Sequence, residues 1–189
     1  MGFNPRELAQ LFHLSEERER HVAGADFFAR FDAILEAVIR ALSQVPPDRL
    51  VWRTPDRDRT LKVFCYHILA DPNYVLDAIA TQKYDGSFKL TYAESAERWR
   101  TMEELAQFGE ETRKRLAEAS RSLAAEELVR SIDGYAGQTS GHELLHQVLS
   151  HTAHHLRQLY EMLRMIGVDP VSPLQEEDFQ GISMPKELW

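Results

Sequence analysis

Histidines are concentrated in one segment of this 189-residue chain. Five of the eight histidines lie between His142 and His155, in a stretch whose apolar pattern is typical of a helix. Two pairs in it are spaced by four residues, His142 with His146 and His151 with His155. This spacing projects two imidazoles from the same face of a helix, close enough to share one metal ion. The sequence therefore predicts a metal centre, and either pair could supply two of its ligands.

The apolar stripe of the same segment helps to choose between the pairs. At about 100° per residue, the stripe indicates which side of the helix faces the protein interior. His155 departs from the centre of the stripe by about 40° and His151 by about 80°, so both are predicted to lean inward. His142 departs by about 100°, and His146 and His154 by about 140°, on the side expected to face solvent. The stripe consists of Leu144, Leu145, Val148, Leu159, Met162, Leu163 and Ile166.

The first pair also belongs to an H-E-x-x-H pattern of zinc peptidases that begins at His142, with Glu143 as the candidate general base. The pattern is short, and Glu143 can also be interpreted as the third-position carboxylate of a capping box that begins at Ser140. Metallopeptidases of this type usually offer an edge strand to the substrate, and no convincing strand is visible in the sequence. A metallopeptidase therefore remains an alternative interpretation of the first pair.

A catalytic metal site of this kind needs three protein ligands and one position open to water or substrate. With His151 and His155 on one helix, the third ligand must come from elsewhere, and the remaining histidines are His13, His21 and His67. His67 is favoured because it lies in an apolar helical segment, where an imidazole without a metal ion would be hard to explain.

Two neighbours of His67 are also of interest. Asp71 follows by one helical turn, and it is predicted either to accept the other N–H of the imidazole or to be an exposed residue before Pro72. Cys65 lies two residues before His67 and points to a different side of the helix. A free cysteine in such a segment is predicted to be a small buried residue of the core.

Amphipathic stretches, with apolar residues every three or four positions, must position these side chains. The first stretch covers residues 15–43 or 24–43, and the second begins near Thr60. Pro72 is expected to kink or end the second helix, because proline lacks an N–H and its ring clashes with the preceding turn. The helix is then expected to resume at Val75.

Capping signals mark the later helices. A capping box opens a third helix at Thr91, which is predicted to continue without a break through Leu116. Residues 120–139 are predicted to be mostly connection, with a short helix near Ala124. The fourth helix covers residues 140–166, because it starts with a capping box and is followed by a glycine and then a proline.

Four amphipathic helices without clear strands predict an all-α fold, an up-down four-helix bundle. Residues 1–189 are predicted to form a single domain. A short leader helix within residues 1–20 precedes the bundle. Residues 171–189 are predicted to be an extended tail that lies on the surface or on a neighbouring subunit.

Composition argues against several functions. The chain has 22 Lys and Arg against 30 Asp and Glu, a formal net charge of −8, and its cations are scattered, so nucleic acid binding is not expected. No apolar run approaches the ~20 residues of a membrane-spanning helix. The N-terminus lacks the basic and apolar regions of a secretory signal, and a single cysteine permits no internal disulfide, so a cytoplasmic location is expected.

Together, His67, the run SHTAHHLRQL at residues 150–159 and the following Gly167 resemble the DinB/YfiT-like superfamily of metal-binding four-helix bundles. The resemblance extends over most of the chain. The ending, residues 178–189, is also similar to the tail of some members.

The resemblance implies a set of metal ligands. In that family one histidine of the second helix and two histidines of the last helix, spaced by four, bind a divalent metal, and the matching positions are His67, His151 and His155. A common family form reads His-His-Arg-Gly-Gln where this chain reads His-His-Leu-Arg-Gln, so Gln158 keeps the glutamine position. Gln158 and Asp71 are expected to be hydrogen-bond partners of the ligands.

Members of this family include thiol-dependent transferases and isomerases that use bacillithiol, mycothiol or glutathione. The leading hypothesis is that a metal ion at the three histidines activates a low-molecular-weight thiol for attack on a small electrophile. A hydrolase that uses metal-bound water, and a non-enzymatic metalloprotein with a structural or sensing ion, are the alternatives. Zinc, nickel, iron and copper all accept imidazole ligands, so the sequence does not identify the metal. The resemblance also implies a homodimer.

Overall fold

In the computed structural model of the protein, residues 25–55, 58–179 and 182 are described. The helices in this part of the chain are α1 (Ala25–Leu42), α2 (Leu61–Thr81), α3 (Tyr92–Ala96), α4 (Met102–Ser122), α5 (Ala125–Leu128) and α6 (Gly141–Met165). The strands are β1 (Lys83–Tyr84), β2 (Ser131–Gly134) and β3 (Gly137–Ser140), and short 3₁₀ turns cover Pro47–Arg49, Ser87–Leu90 and Glu176–Phe179. The predicted leader helix and the candidate ligands His13 and His21 lie outside the described residues.

The four long helices, α1, α2, α4 and α6, form the helical bundle that the sequence predicts. Helices α1 and α2 each pack against both α4 and α6, so α1 lies diagonally across the bundle from α2. This order makes α2 a direct neighbour of α6, although about sixty residues separate them along the chain. The largest fully buried side chains include Phe31, Ile34, Leu35, Leu61, Phe64, Leu69, Leu105, Leu116 and Tyr160.

Helix α2 runs through Pro72, so the expectation that this proline could end the helix was wrong. The helix begins next to Thr60 as predicted, and the Thr60 side-chain oxygen caps it by accepting a hydrogen bond from the backbone N–H of Val63. The carbonyl of Leu69, in the turn before the proline, accepts hydrogen bonds from the side chains of Thr112 at 3.2 Å and Asn73 at 3.4 Å. These side chains satisfy a backbone acceptor in the turn that a proline ring disturbs.

The predicted third helix is divided in two, which corrects the sequence prediction. Helix α3 ends at Ala96, and α4 begins at Met102. Thr91 makes no side-chain cap; Thr101 instead accepts a hydrogen bond from the backbone N–H of Glu104, whose carboxylate accepts one from the backbone N–H of Arg100. The Thr101-x-x-Glu104 spacing is itself a capping signal, so the sequence contained the information for the break.

A small three-stranded sheet is present where the sequence analysis found no convincing strand. Strand β2 lies in the middle, parallel to β1 and antiparallel to β3. The two to four residues of each strand are too few to show a clear alternation of apolar and polar positions. The short helix predicted near Ala124 is observed as α5.

Residues 171–179 of the tail lie on the surface of the bundle. The guanidinium of Arg40 donates to both carboxylate oxygens of Asp178, at 3.0 and 2.9 Å. The hydroxyl of Tyr160 donates to the carbonyl of Ser172 at 2.9 Å. Residues 180, 181 and 183–189 of the tail lie outside the described part. None of the helices described here combines the length and the apolar character needed to span a lipid bilayer.

Candidate metal centre

Three histidines from two neighbouring helices meet between α2 and α6. His67 comes from α2, and His151 and His155 lie one turn apart on α6. One nitrogen of each ring can be chosen so that all three atoms lie within 4.8 Å of one another. The Nε2 atoms of His67 and His155 are 3.2 Å apart. Among the described residues, this is the one group of three His, Cys, Asp or Glu side chains arranged to hold a metal ion.

Burial keeps two of the three rings uncharged. His155 is 9% exposed, and burial, with His151 nearby, lowers its pKa to about 3. Burial also lowers the pKa of His151 to about 4, although the Asp71 carboxylate opposes this shift. An uncharged imidazole has a free lone pair on one ring nitrogen, which is the form that binds a metal ion.

The outer nitrogen of each ring faces a side-chain oxygen. Nδ1 of His155 is hydrogen-bonded to Oε1 of Gln158 at 2.6 Å. Nδ1 of His151 lies 3.3 Å from one carboxylate oxygen of Asp71, and Nδ1 of His67 lies 3.4 Å from the other. We assign the N–H of each ring to Nδ1 on this basis, because these oxygens can only accept. The Nε2 lone pairs are then left for the centre of the cluster.

Asp71 is a buried carboxylate rather than an exposed residue before Pro72, so that alternative of the sequence analysis was wrong. It is 6% exposed and lies between His67 and His151. Tyr92 donates a short hydrogen bond to the same carboxylate. Burial and the Asp71 charge raise the pKa of Tyr92, so its hydroxyl keeps its proton. Sequence reasoning missed Tyr92, because it lies in α3, and no spacing pattern relates it to the histidines.

The residues fit a divalent metal ion with nitrogen ligands. Two imidazole nitrogens on one tetrahedral zinc ion would lie about 3.3 Å apart. The 3.2 Å between the facing Nε2 atoms of His67 and His155 agrees with this separation. The buried Nδ1 of His67 forms no hydrogen bond with a described residue, and the nearest carboxylate oxygen of Asp71 lies 3.4 Å from it.

The cluster opens into a cleft of about 500 Å³. Tyrosines and aliphatic side chains form much of its wall, namely Tyr84, Tyr92, Tyr135, Leu144 and Val148. His154, which was expected to face solvent, is half-buried and lines the same cleft. A centre that is buried on one side and open on the other can hold a small molecule beside the three imidazoles.

The glutamate of the H-E-x-x-H pattern caps a helix. Glu143 completes the predicted capping box, since its Oε2 accepts hydrogen bonds from the backbone N–H of Ser140 and from the hydroxyl of Thr139, both at 2.9 Å. The rings of His142 and His146 lie 4.5 Å apart, but no third ligand joins them within the part of the chain that the structure describes.

His146 is half-buried rather than solvent-facing, which corrects the prediction from the apolar stripe. Its ring packs 4.7 Å from that of Phe27 in α1. The stripe marks a single inward direction, whereas α6 is covered on two sides by α1 and α2. Cys65 is fully buried, and burial raises the pKa of its thiol, so it is a core residue as predicted.

The low pKa values of His151 and His155 predict a pH dependence of the metal-free protein. In the unfolded chain both rings take up a proton near pH 6.5, whereas in the folded protein they stay neutral down to about pH 4 and 3. The unfolded state therefore binds more protons, and the free energy of unfolding falls as the pH falls from 6.5. With His151 discounted for its partial exposure, we expect a loss of about 2 kcal/mol per pH unit below pH 6.

Urea unfolding between pH 5 and 7, with a chelator present, measures this loss. The His151→Gln, His155→Gln double variant is the control, and its stability should change much less over the same range. Equal pH slopes for the two proteins would contradict the prediction.

Comparison with known proteins gives one family and one fold. Residues 30–159 match the family described as the DinB superfamily, and this region contains all three histidines. The crystal structure of a DinB-like protein, YjoA from Bacillus subtilis, matches with a TM-score of 0.62 over 79% of this chain and 96% of that one. The two sequences are 17% identical, so this likeness concerns the fold alone. No curated protein matches the chain.

Proposed function

The chain belongs to the DinB superfamily, and on this premise we propose that it binds a divalent metal ion through His67, His151 and His155 and acts as a thiol S-transferase on small electrophiles. The observation that carries the proposal is the meeting of three imidazoles, within 4.8 Å, beside a cleft of about 500 Å³. Three nitrogen ligands with one side open are the arrangement of a catalytic rather than a structural site.

The metal ion would supply one kind of chemistry. When bound, a divalent ion lowers the pKa of a coordinated thiol or water molecule toward neutral pH. The protein itself orients the ligands, because Asp71 and Gln158 face the Nδ1 atoms and direct the Nε2 atoms to the centre. The Tyr92 hydroxyl occupies a lone pair of Asp71 and keeps that carboxylate in place.

The shape of the site favours a small-molecule reaction over a purely structural ion. A structural site would be closed by a fourth protein ligand, and none of the described His, Cys, Asp or Glu side chains joins the group of three. Among the mostly polar side chains of the cleft, its tyrosines and aliphatic residues offer apolar contacts to the organic part of an electrophile. Hydrolysis by an activated water molecule would use the same three ligands and is the second candidate.

A direct test uses the purified protein, stripped with a chelator and reloaded with zinc, nickel or ferrous iron. The substrates are a small thiol with 1-chloro-2,4-dinitrobenzene, in which the thiol sulfur forms a bond to the ring carbon, chloride leaves and the thiol proton passes to solvent. We expect at least one metal to raise the rate of thioether formation about tenfold or more over the stripped protein, which corresponds to about 1.4 kcal/mol.

The control reaction is hydrolysis of 4-nitrophenyl acetate by the same preparations without thiol. Metal-dependent ester hydrolysis with no thioether formation would favour the hydrolase. A metal that binds tightly but changes neither rate would favour a structural or sensing ion.

A further inference from the structure

Two apolar side chains continue the face of α6 that carries His151 and His155. Leu144 and Val148 precede these histidines on the helix, and both line the cleft. At about 100° per residue the four side chains fall within an arc of about 60°, so they share one face of the helix. Val148 and Leu144 lie about 5 and 11 Å along the helix axis from His151. The cleft therefore has an apolar floor that begins one turn from the three histidines.

Two tyrosines of the small sheet line the same part of the cleft. Tyr84 belongs to β1, and Tyr135 lies in the turn between β2 and β3. Their ring centres are 5.6 Å apart. Strand β3 leads directly into α6, so the sheet lies beside the first turns of that helix, where the apolar floor is found. We call the floor and the two tyrosines the apolar end of the cleft.

Tyr135 is 52% exposed, and three contacts hold it in place. Its backbone N–H donates to the carbonyl of Tyr84 at 2.8 Å. Its ring packs on residue 86, a glycine with φ of 74°, where a Cβ atom would lie 2.8 Å from the ring. Its hydroxyl accepts a hydrogen bond from the ammonium of Lys89 at 2.5 Å. An aromatic side chain that is already held in position loses little conformational entropy when a ligand packs against it.

The exposed surface of the apolar end lies mainly on the tyrosines. Leu144 and Val148 are 3% and 5% exposed, so they close the cleft from below and add little area. Tyr84 is half-buried, and burial raises the pKa of its hydroxyl, which therefore stays uncharged. The cleft thus joins a polar end at the three histidines to an apolar end along α6.

We propose that the cleft selects electrophiles that carry an alkyl or aromatic group, and that Leu144, Val148 and Tyr135 hold this group while the carbon that is attacked lies beside the three histidines. This inference rests on the proposed function and adds the substrate class. Burial of an apolar group is favourable in proportion to the area that it removes from water. An electrophile with a longer chain or a ring gains this contact, whereas a small polar electrophile reaches only the histidines.

The test uses hydroxamates, because the hydroxamate head binds a metal ion and its substituent then extends into the cleft. The protein is loaded with Co²⁺, and the binding of acetohydroxamate, hexanohydroxamate and benzohydroxamate is followed by the visible absorption of cobalt, so no catalysis is required. A fully buried methylene favours binding about fourfold, and this cleft is open on one side. We therefore expect hexanohydroxamate and benzohydroxamate to bind about tenfold more tightly than acetohydroxamate.

Val148→Phe is the decisive variant, because its larger side chain extends from the floor into the cleft. We expect it to remove most of the tenfold preference, whereas Val129→Phe, at an exposed valine outside the cleft, should keep it. If thermal unfolding shows that Val148→Phe does not fold, Tyr135→Ala decides, since this residue is exposed and its truncation should lower the preference about threefold. An unchanged preference in the deciding variant would overturn the inference.

The outcomes separate this inference from the proposed function. If Co²⁺ binds but the three hydroxamates bind equally, or none binds, the apolar selection is refuted and the metal site stands. If the protein binds no metal, the proposed function fails, and the metal-free protein then decides the inference through thermal stabilisation by hexanamide compared with acetamide. Equal effects of these two amides would refute it.

Discussion

We expect a more than about 100-fold loss of affinity for a divalent metal in each of His67→Ala, His151→Ala and His155→Ala. This loss exceeds the 10- to 100-fold that is typical when a hydrogen-bond partner of a metal ligand is removed. The three nitrogens lie within 4.8 Å of one another, and no other described His, Cys, Asp or Glu side chain belongs to the group. Each variant would leave two imidazoles, which cannot hold a hard or borderline ion in the face of competing water. Metal content after dialysis and a competition titration with a chromophoric chelator measure the loss.

His142→Ala and His146→Ala are the matched controls on the same helix. Their rings lie near each other and outside the cluster, so both variants should keep the metal of the wild-type protein. Loss of metal in His146→Ala alone, with full binding in the three cluster variants, would move the centre to the H-E-x-x-H pattern and refute our assignment.

Asp71→Asn is expected to weaken metal binding by about 10- to 100-fold with little change in the shape of the site. The carboxylate faces Nδ1 of both His67 and His151, so one residue orients a ligand from each of two helices. Asparagine has nearly the same size, but it replaces one accepting oxygen with a donating NH₂ group and removes the negative charge. One of the two rings is then forced into the wrong tautomer, and its lone pair turns away from the metal.

Asp77→Asn is the control for this substitution. Asp77 lies on the same helix, is exposed and pairs with Arg115 rather than with a histidine. Its substitution should leave the metal affinity unchanged. Thermal unfolding of the metal-free proteins separates positioning from folding, because Asp71→Asn should lose metal affinity far beyond any loss of stability. Unchanged affinity in Asp71→Asn would show that Asp71 does not orient the ligands.

Local signals in the sequence predicted the helices well where each signal was isolated. The start of α2 near Thr60, the cap at Ser140 and the end of α6 before Gly167 each follow from residues within one helical turn. The prediction of one continuous third helix was wrong because two capping signals lie close together, at Thr91 and Thr101. Only the side chain of Thr101 forms a cap. A cap is chosen by the whole fold, so neighbouring signals cannot be ranked from the sequence alone.

The sequence by itself determined the all-α character, the helix that carries five histidines and the choice of His151 and His155 as an inward pair. These features depend on the spacing of residues along a single helix, and that spacing is fully visible in the sequence of the helix itself. Only the tertiary structure decided that α2 lies beside α6, that Asp71 reaches two histidines at once, and that Tyr92, Lys89 and Arg59 line the same cleft. Such contacts join residues far apart in the chain, and they arise from the packing of whole helix faces, which no local spacing encodes.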